Sequence, residues 1–301
     1  MKEEEKSIEN DITKSTSELQ SGYEELKSSL NLPDQEMAFE SDCPENAADT
    51  NDLFSDQFPE IPDDEGDYGN TVIDGNEIKI TSYLGCKQDP VIPCCINGHQ
   101  VTVIGENAFT MTDIESVSIP EGVLTIENQA FAGCEELTKV LLPSTLKNFG
   151  EGVFMGCEML RDVLFRGKNN DFSVKDGILY DMRQRKLLLC PPGLELRRVD
   201  VEHGTVAIGS SAFYSNNTLE IVKLPMTVRT IEDSAFLFTR LLGIIELPPY
   251  IEEIADNAFL VGKPPFQEKH FEIYAFPNTY AYQYAEKNQI PVNPLYGIIT
   301  G

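Results

Sequence analysis

Residues 123–143 read VLTIENQAFAGCEELTKVLLP, and this stretch contains the pattern that decides the fold. Ile126 lies five residues before Phe131, and Val140 lies nine residues after it, two before Leu142. Side chains two apart point to the same face of a strand, and the proline that follows has no N–H to donate to a ladder. The end of the stretch is therefore predicted to be a short strand that proline terminates.

The same pattern recurs along the chain with a period of about 23 residues. An Ala or Val precedes each central phenylalanine, and an Ile or Phe stands five residues before it. The phenylalanines are separated by 22, 23, 59, 23 and 23 residues: Phe109, Phe131, Phe154, Phe213, Phe236 and Phe259. Such a period predicts a solenoid in which each repeat adds one strand to a parallel sheet and buries its core against its neighbours. The Ala-Phe pair is expected in a turn or short helical piece on the opposite side.

The consensus Val-x-x-Ile-x-x-x-Ala-Phe-x-x-Cys-x-x-Leu-x-x-Val-x-Leu-Pro resembles the BspA-like leucine-rich repeat of bacterial surface proteins, over about residues 83–290. The resemblance implies an α/β-type, right-handed solenoid with parallel strands and with short turns or helices on its outer wall. It also implies a hairpin inserted at about 171–195, where Asp176-Gly177 is itself a typical tight-turn pair. The decaying pattern at 271–301, with aromatic and Ala residues at helical spacing, predicts a C-terminal helical cap.

The region before the repeats is predicted to contain two further segments. Residues 1–30 have apolar side chains at helical spacing and predict an amphipathic leader, either a docking helix or a weakly folded one, with the negative charge favouring the second. Residues 31–70 are acidic and rich in proline, which predicts a disordered linker. The repeat domain is then expected at 71–301.

Charge excludes several classes of partner. The formal net charge is −27, and the first 70 residues hold 21 of the 50 acidic residues but only 4 of the 23 basic ones. Such a balance disfavours nucleic acids and anionic membrane surfaces, which require clustered Lys and Arg. No apolar stretch is long enough to span a bilayer, and the N-terminus lacks a signal peptide, as it also would if an export signal had been removed.

The sequence offers little for catalysis, so we expect no enzyme activity, no cofactor and no metal. His99, His203 and His270 stand near no recognisable nucleophile motif. Cys134 and Cys157 share one repeat position, where a buried spacer is favoured over a disulfide between coils.

Three further features have two interpretations each. Cys86, Cys94, Cys95 and His99 match no zinc spacing, which favours a local disulfide from Cys86 over a metal site. The acidic run 63–67 is interpreted as solvated linker rather than a calcium loop. Asn216-Asn217-Thr218 is a formal glycosylation sequon on an expected exposed turn.

Surface side chains on the strands remain as the candidate site. Residues between the inward columns are expected to face outward, with Leu141 beside Leu164 and Ile221 beside Ile244 forming two apolar stripes. Cover by lateral loops or by the N-terminal segment is the alternative. The candidate partner-binding face comprises Lys139, Leu141, Leu164, Ile221, Lys223, Ile244 and Glu246.

The resemblance implies a non-enzymatic protein-binding module of an extracellular or cell-surface protein, which attaches to host or neighbouring-cell proteins. Its partner would be an extracellular-matrix or cell-surface protein. The alternative is a cytoplasmic scaffold for protein–protein interactions that uses the same face.

Overall fold

The computed structural model describes residues 62–259 and 271–295. The leader at 1–30, most of the predicted linker, Cys43 and His270 lie outside the described residues. Within the described ranges, short 3-10 turns occupy Glu65–Asp67 and Pro192–Leu194, and one α-helix, α1, spans Tyr280–Lys287. None of the helices in these ranges is long and apolar enough to cross a membrane.

Twenty strands make up the rest of the regular structure of the described residues. They are β1 (Tyr68–Asp74), β2 (Glu77–Tyr83), β3 (Cys95–Ile96), β4 (His99–Ile104), β5 (Ser116–Ser118), β6 (Thr125–Ile126), β7 (Lys139–Leu142), β8 (Asn148–Phe149), β9 (Asp162–Phe165), β10 (Phe172–Lys175), β11 (Ile178–Asp181), β12 (Lys186–Leu189), β13 (Arg198–Asp200), β14 (Ala207–Ile208), β15 (Ile221–Lys223), β16 (Thr230–Ile231), β17 (Ile244–Glu246), β18 (Glu253–Ile254), β19 (Glu272–Ala275) and β20 (Val292–Pro294).

The predicted Val-x-Leu strands form parallel sheets, which we call the front sheets. Strands β5-β7-β9 make the first and β13-β15-β17-β19-β20 the second, with every pair parallel. Register follows the repeat, because Val117, Val140 and Val163 lie directly opposite one another. The predicted parallel-strand solenoid is confirmed.

The opposite wall contains sheets that the sequence analysis did not predict, which we call the back sheets. Their strand orders are β1-β2-β4-β6-β8, with β3 on β4, and β10-β11-β12-β14-β16-β18. Half of these twelve strands have only two residues, and the back sheets carry the Ile column that precedes each Phe. Ile104, Ile126, Ile208 and Ile231 are buried there, because β-branched side chains pack well on a pleated surface. The wall expected to consist of turns or helices therefore consists partly of short strands, most of which pair in parallel from coil to coil.

The phenylalanine column fills the space between the two walls. Ring centroids lie 4.7 Å apart for Phe109 and Phe131, and 5.4 Å apart for Phe131 and Phe154. The second half of the array repeats this stack, with 4.8 Å between Phe213 and Phe236. Each backbone also bonds to the next coil, since Phe131 N–H donates to the Val153 carbonyl at 3.0 Å. A coil thus completes its core only against the coil that follows it.

The inserted hairpin divides the array. Strands β10, β11 and β12 form an antiparallel meander, and β12 then pairs in parallel with β14. Asp176 and Gly177 have φ angles of 51° and 80°, so the tight turn between β10 and β11 is confirmed as one with two left-handed residues. The buried apolar residues accordingly form two clusters that meet at this meander.

The N-terminal boundary of the ordered array lies earlier than the predicted linker allows. Strand β1 begins at Tyr68, whose hydroxyl donates to Asp63 Oδ2 at 2.8 Å. Asp63 is only 6% exposed and also receives Lys87 Nζ at 2.7 Å. Burial and the hydrogen bond to Asp63 raise the pKa of Tyr68. The interpretation of run 63–67 as solvated linker is therefore wrong at Asp63, where Tyr68 and the more distant Lys87 offset the cost of burying a carboxylate.

The C-terminal end is closed by the predicted helix. Thr279 Oγ1 accepts the backbone N–H of Tyr282 at 3.3 Å and so caps the first turn of α1. The buried face of α1 consists of Ala281, Tyr284 and Ala285, and the Tyr284 hydroxyl donates to the Ala255 carbonyl at 3.3 Å. The helix covers the last coils where another repeat would otherwise be needed.

Candidate functional site

The structure divides the predicted face between the two front sheets. Lys139, Leu141 and Leu164 lie on β7 and β9 of the first sheet, whereas the other four residues lie on β15 and β17 of the second. No described strand pair joins the two sheets, since β9 is an edge of one and β13 an edge of the other. The seven residues therefore form two groups rather than one continuous patch.

The first group does not expose the expected apolar stripe. Leu141 is only 2% exposed, although Leu164 beside it is half-buried. Arg166 donates from Nη2 to Ser118 Oγ and from Nε to the Ile119 carbonyl, two strands away, so its side chain crosses β7 at Leu141. The prediction that Leu141 is exposed is wrong because this guanidinium arm covers it.

The serines of β5 are buried for a related reason. Ser116 and Ser118 are 6% and 1% exposed, although both were expected to face solvent. Residues 88–92 run alongside β5, with Ile92 N–H donating to the Ser118 carbonyl at 3.1 Å and Ser116 Oγ donating to Asp89 Oδ1 at 2.6 Å. Residues 88–92 thus cover the outer edge of the first front sheet.

The second group retains the predicted arrangement. Ile221 lies directly opposite Ile244, and Lys223 lies opposite Glu246. Both isoleucines are half-buried, while Lys223 Nζ is 3.5 Å from Glu246 Oε2 with its side chain 54% exposed. On the neighbouring strand β13, Arg198 forms an ion pair with Asp200 at 2.8 Å. This face presents apolar side chains beside paired charges of both signs.

An apolar groove of about 210 Å³ continues this face toward the C-terminal end. Met226, which is 47% exposed, and the half-buried Phe276 and Leu295 line it, with Lys223 and Glu246 at its border. Sequence reasoning missed the groove because Phe276 and Leu295 belong to coils in which the repeat pattern has decayed. The second group and this groove together are called the C-terminal face below.

A second depression, about 440 Å³, lies on the first back sheet. The Lys79 ammonium lies 2.9 Å from Glu127 Oε1, and the Glu106 backbone N–H donates to Glu127 Oε2 at 2.9 Å. Partial burial raises the pKa of Glu127, but the hydrogen bonds from Lys79 and from the Glu106 N–H outweigh it and hold that pKa below its usual value. Asn128 and Asn148 complete the polar lining.

The repeat-position cysteines are buried spacers, as the analysis favoured. Cys134 and Cys157 are both free thiols, and their Sγ atoms donate to the carbonyls of Phe109 and Phe131 at 3.1 Å. The interaction between the two thiols lowers the pKa of Cys134 and, together with burial, raises that of Cys157. Asn216 takes the equivalent position in a later coil and donates to the Cys190 carbonyl at 2.8 Å. Each of these three side chains therefore bonds its coil to the preceding one.

The remaining candidates do not assemble into sites. Cys86 is a free, exposed thiol, so the disulfide favoured for it is wrong. Among residues 62–259 and 271–295, no three His, Cys, Asp or Glu side chains converge to hold a metal ion. Asn216 is completely buried, which corrects the expected exposed turn and leaves the folded sequon inaccessible to a glycosyltransferase. His99 is half-buried in β4 and His203 is exposed.

Comparisons with known proteins agree with this architecture. The family model described as "BspA type Leucine rich repeat region" matches residues 93–182 and 193–263 in six copies, more than half of the chain. No curated protein matches the chain.

Solved structures of bacterial leucine-rich repeat proteins are also similar. A T. pallidum leucine-rich repeat protein is 22% identical and matches over 65% of this chain and 82% of its own, with a TM-score of 0.39. A leucine-rich repeat protein from Eubacterium ventriosum is 14% identical over 69% and 70%, with a TM-score of 0.46. A leucine-rich cell surface protein from Faecalibacterium prausnitzii is 18% identical over 71% and 88%, with a TM-score of 0.29.

Proposed function

Since the chain belongs to the BspA-type leucine-rich repeat family, we propose that it is a non-enzymatic adhesion or recognition module of a bacterial cell surface. Leucine-rich repeat proteins are in general protein-interaction scaffolds, and the family's association with bacterial surface proteins supports an extracellular location. The proposed partner is an extracellular-matrix or cell-surface protein.

The observation that carries this proposal is the continuity of the C-terminal face. Ile221 and Ile244 stand in register and half-exposed, and the apolar groove bordered by Lys223 and Glu246 extends their surface. Apolar side chains at the centre and ion pairs at the border are the arrangement that a desolvated protein contact requires. The first group supports a contact less well, because Arg166 covers Leu141.

The test compares two matched triple variants of the full chain. Ile221→Thr, Ile244→Thr and Lys223→Glu alter the C-terminal face, and β-branched threonine preserves the strands. Leu164→Thr, Lys139→Glu and Asp162→Lys alter the first front sheet. All these side chains are at least partly exposed, so each set should unfold within about 1 kcal/mol of wild type.

Each protein is immobilised and offered extracts of extracellular matrix, of cell surfaces and of cytosol. We expect one partner from a matrix or cell-surface extract to bind wild type and the first-sheet variant, and to lose at least 90% of its binding to the C-terminal-face variant. Equal recovery by all three proteins would exclude the C-terminal face as the site. A partner found only in cytosol would favour the intracellular scaffold instead.

A further inference from the structure

The two back sheets repeat one arrangement. In each, an antiparallel pair of strands is followed by three strands that add in parallel. The strand order is β1-β2-β4-β6-β8 in the first sheet and β11-β12-β14-β16-β18 in the second. The equivalence extends to side chains, since Lys79 reaches Glu127 at 2.9 Å and Lys186 reaches Glu232 at 2.6 Å, each two strands away. Strand β1 is therefore the counterpart of β11.

Glycines that directly follow the strand between each lysine and its glutamate confirm the correspondence. A Cβ on Gly105 would lie 2.9 Å from Lys79 Cδ, and one on Gly209 would lie 3.0 Å from Lys186 Cε. The nearest atom to each such Cβ is a backbone carbonyl oxygen of the residue after the lysine, Ile80 at 2.5 Å and Leu187 at 2.8 Å, so both positions require a residue without a side chain. The matched lysine–glutamate pairs and the matched glycines show that β1 and β11 occupy the same place in their sheets.

The outer edges of these two strands differ. Strand β10 covers the outer edge of β11 along four consecutive antiparallel pairs. Strand β1 pairs with β2 alone among the strands that the structure describes, and its residues 70–74 are exposed. Val72 and Ile73 are 56% and 43% exposed, although apolar side chains on an open edge favour pairing with another strand. The internal repeat thus shows what kind of element fits β1, namely a short antiparallel strand.

Charge identifies the chemistry of that strand. Asp74 ends β1 and Glu77 starts β2, while Asp64, Glu65 and Asp67 precede β1, and no Lys or Arg occurs from 62 to 78. A second copy of this acidic chain would bring like charges together. A strand with basic ends and an apolar centre would instead be attracted, and β10 itself ends in a lysine, Lys175.

We propose that the outer edge of β1 binds an extended segment of a partner protein, antiparallel to β1, with a β-branched or aromatic centre and basic residues at its ends. This mode is strand addition, in which main-chain hydrogen bonds supply affinity and side chains supply selectivity. The site lies on the first back sheet and is separate from the C-terminal face, so it goes beyond the proposed function.

The test uses the full chain and a fluorescently labelled peptide, Lys-Thr-Val-Thr-Val-Thr-Lys, followed by anisotropy. We expect saturable binding that weakens at least tenfold when both lysines of the peptide become glutamates. A peptide with proline at its centre should also lose binding, because proline removes a ladder hydrogen bond. If the proline peptide binds equally well, the attraction is charge alone and strand addition is overturned.

Variants of the chain locate the peptide. Val72→Lys with Ile73→Lys should weaken binding at least tenfold, since both side chains are exposed and lysine on an edge opposes pairing. Met111→Lys, at an 81% exposed position, is the matched control and should leave binding unchanged, as should the C-terminal-face variant. No binding by the full chain, or equal binding by the edge variant, would overturn the proposal. A dimer that the edge variant abolishes in sedimentation would show that a second copy is the occupant.

Discussion

Two residue columns make each coil dependent on its neighbour. The phenylalanines stack through the whole of each half, and Phe109, Phe131, Phe213 and Phe236 are completely buried. Three residues after five of the six Phe, a Thr, Cys or Asn side chain bonds to a backbone carbonyl, as Cys157 does to Phe131 and Thr239 to Phe236. Apolar stacking and satisfaction of buried carbonyls therefore coincide at the same corner of each coil.

Truncation of the column should be costly at either half of the array. We expect Phe131→Ala and Phe236→Ala each to lower the free energy of unfolding by about 3 to 5 kcal/mol, because each leaves a cavity between two stacked rings. Urea denaturation would measure the loss, with Met111→Ala as a control at an 81% exposed site. Midpoints equal to wild type for both phenylalanine variants would contradict the structural role assigned to the column.

The burial of individual residues was predictable from sequence where it follows from the 23-residue period. It was not predictable where a residue distant in sequence covers the side chain. The burial of the Phe and Ile columns follows from their repetition alone. Leu141 occupies an outward strand position but is buried where the Arg166 side chain reaches across β7 to Ser118, two strands away. Asp63 is likewise buried through Lys87, 24 residues away. Neither contact recurs with the repeat period, so residue spacing in the sequence does not predict it.

At the scale of elements, the back sheets are the main finding beyond the sequence. Two-residue strands are too short to show the alternation by which strands are recognised, and the parallel pairing of β6 with β8 joins two neighbouring coils, so it is not visible within one repeat. The front strands were predictable because proline and a Val-x-Leu pair mark each one. Ion pairs between a lysine and a glutamate, such as Lys79 with Glu127, link strands that are not adjacent. We call the Lys79–Glu127 pair the clasp.

The clasp predicts a pH-dependent contribution to stability. The pKa of Glu127 is lower in the folded chain than its ordinary value of 4.5, so the ionised carboxylate stabilises the fold above that value. We expect Glu127→Gln to lower the free energy of unfolding by about 1 kcal/mol at pH 7. The difference from wild type should then shrink as the pH falls through the lowered pKa of Glu127.

Urea denaturation between pH 7 and about pH 3 would follow this difference. Glu252→Gln is the matched control, because Glu252 lies 3.8 Å from Arg229 with its side chain 75% exposed and should contribute little. A gap between Glu127→Gln and wild type that does not change over this range would show that the clasp does not depend on the charge of Glu127.

At the scale of the whole molecule, the described array has two halves rather than one uniform stack. The buried residues form one cluster that reaches from Tyr68 to Leu189 and another that reaches from Ile178 to Ala285. They overlap in sequence only at the meander, where Leu179 belongs to the first cluster and Tyr180 to the second. Neighbouring positions of β11 thus contribute to different halves.

This division predicts that a substitution in the core of one half destabilises mainly that half. In a repeat array, stability is nearly a sum of terms between adjacent units, so a cavity at Phe131 weakens the coils it touches before distant ones. We expect Phe131→Ala to speed hydrogen exchange of amides in β5–β9 at least tenfold, with a smaller change in β15–β19. Phe236→Ala should produce the reverse pattern. Hydrogen exchange followed by mass spectrometry resolves the two halves, and a uniform increase across both in either variant would mean that the meander couples them into one cooperative unit.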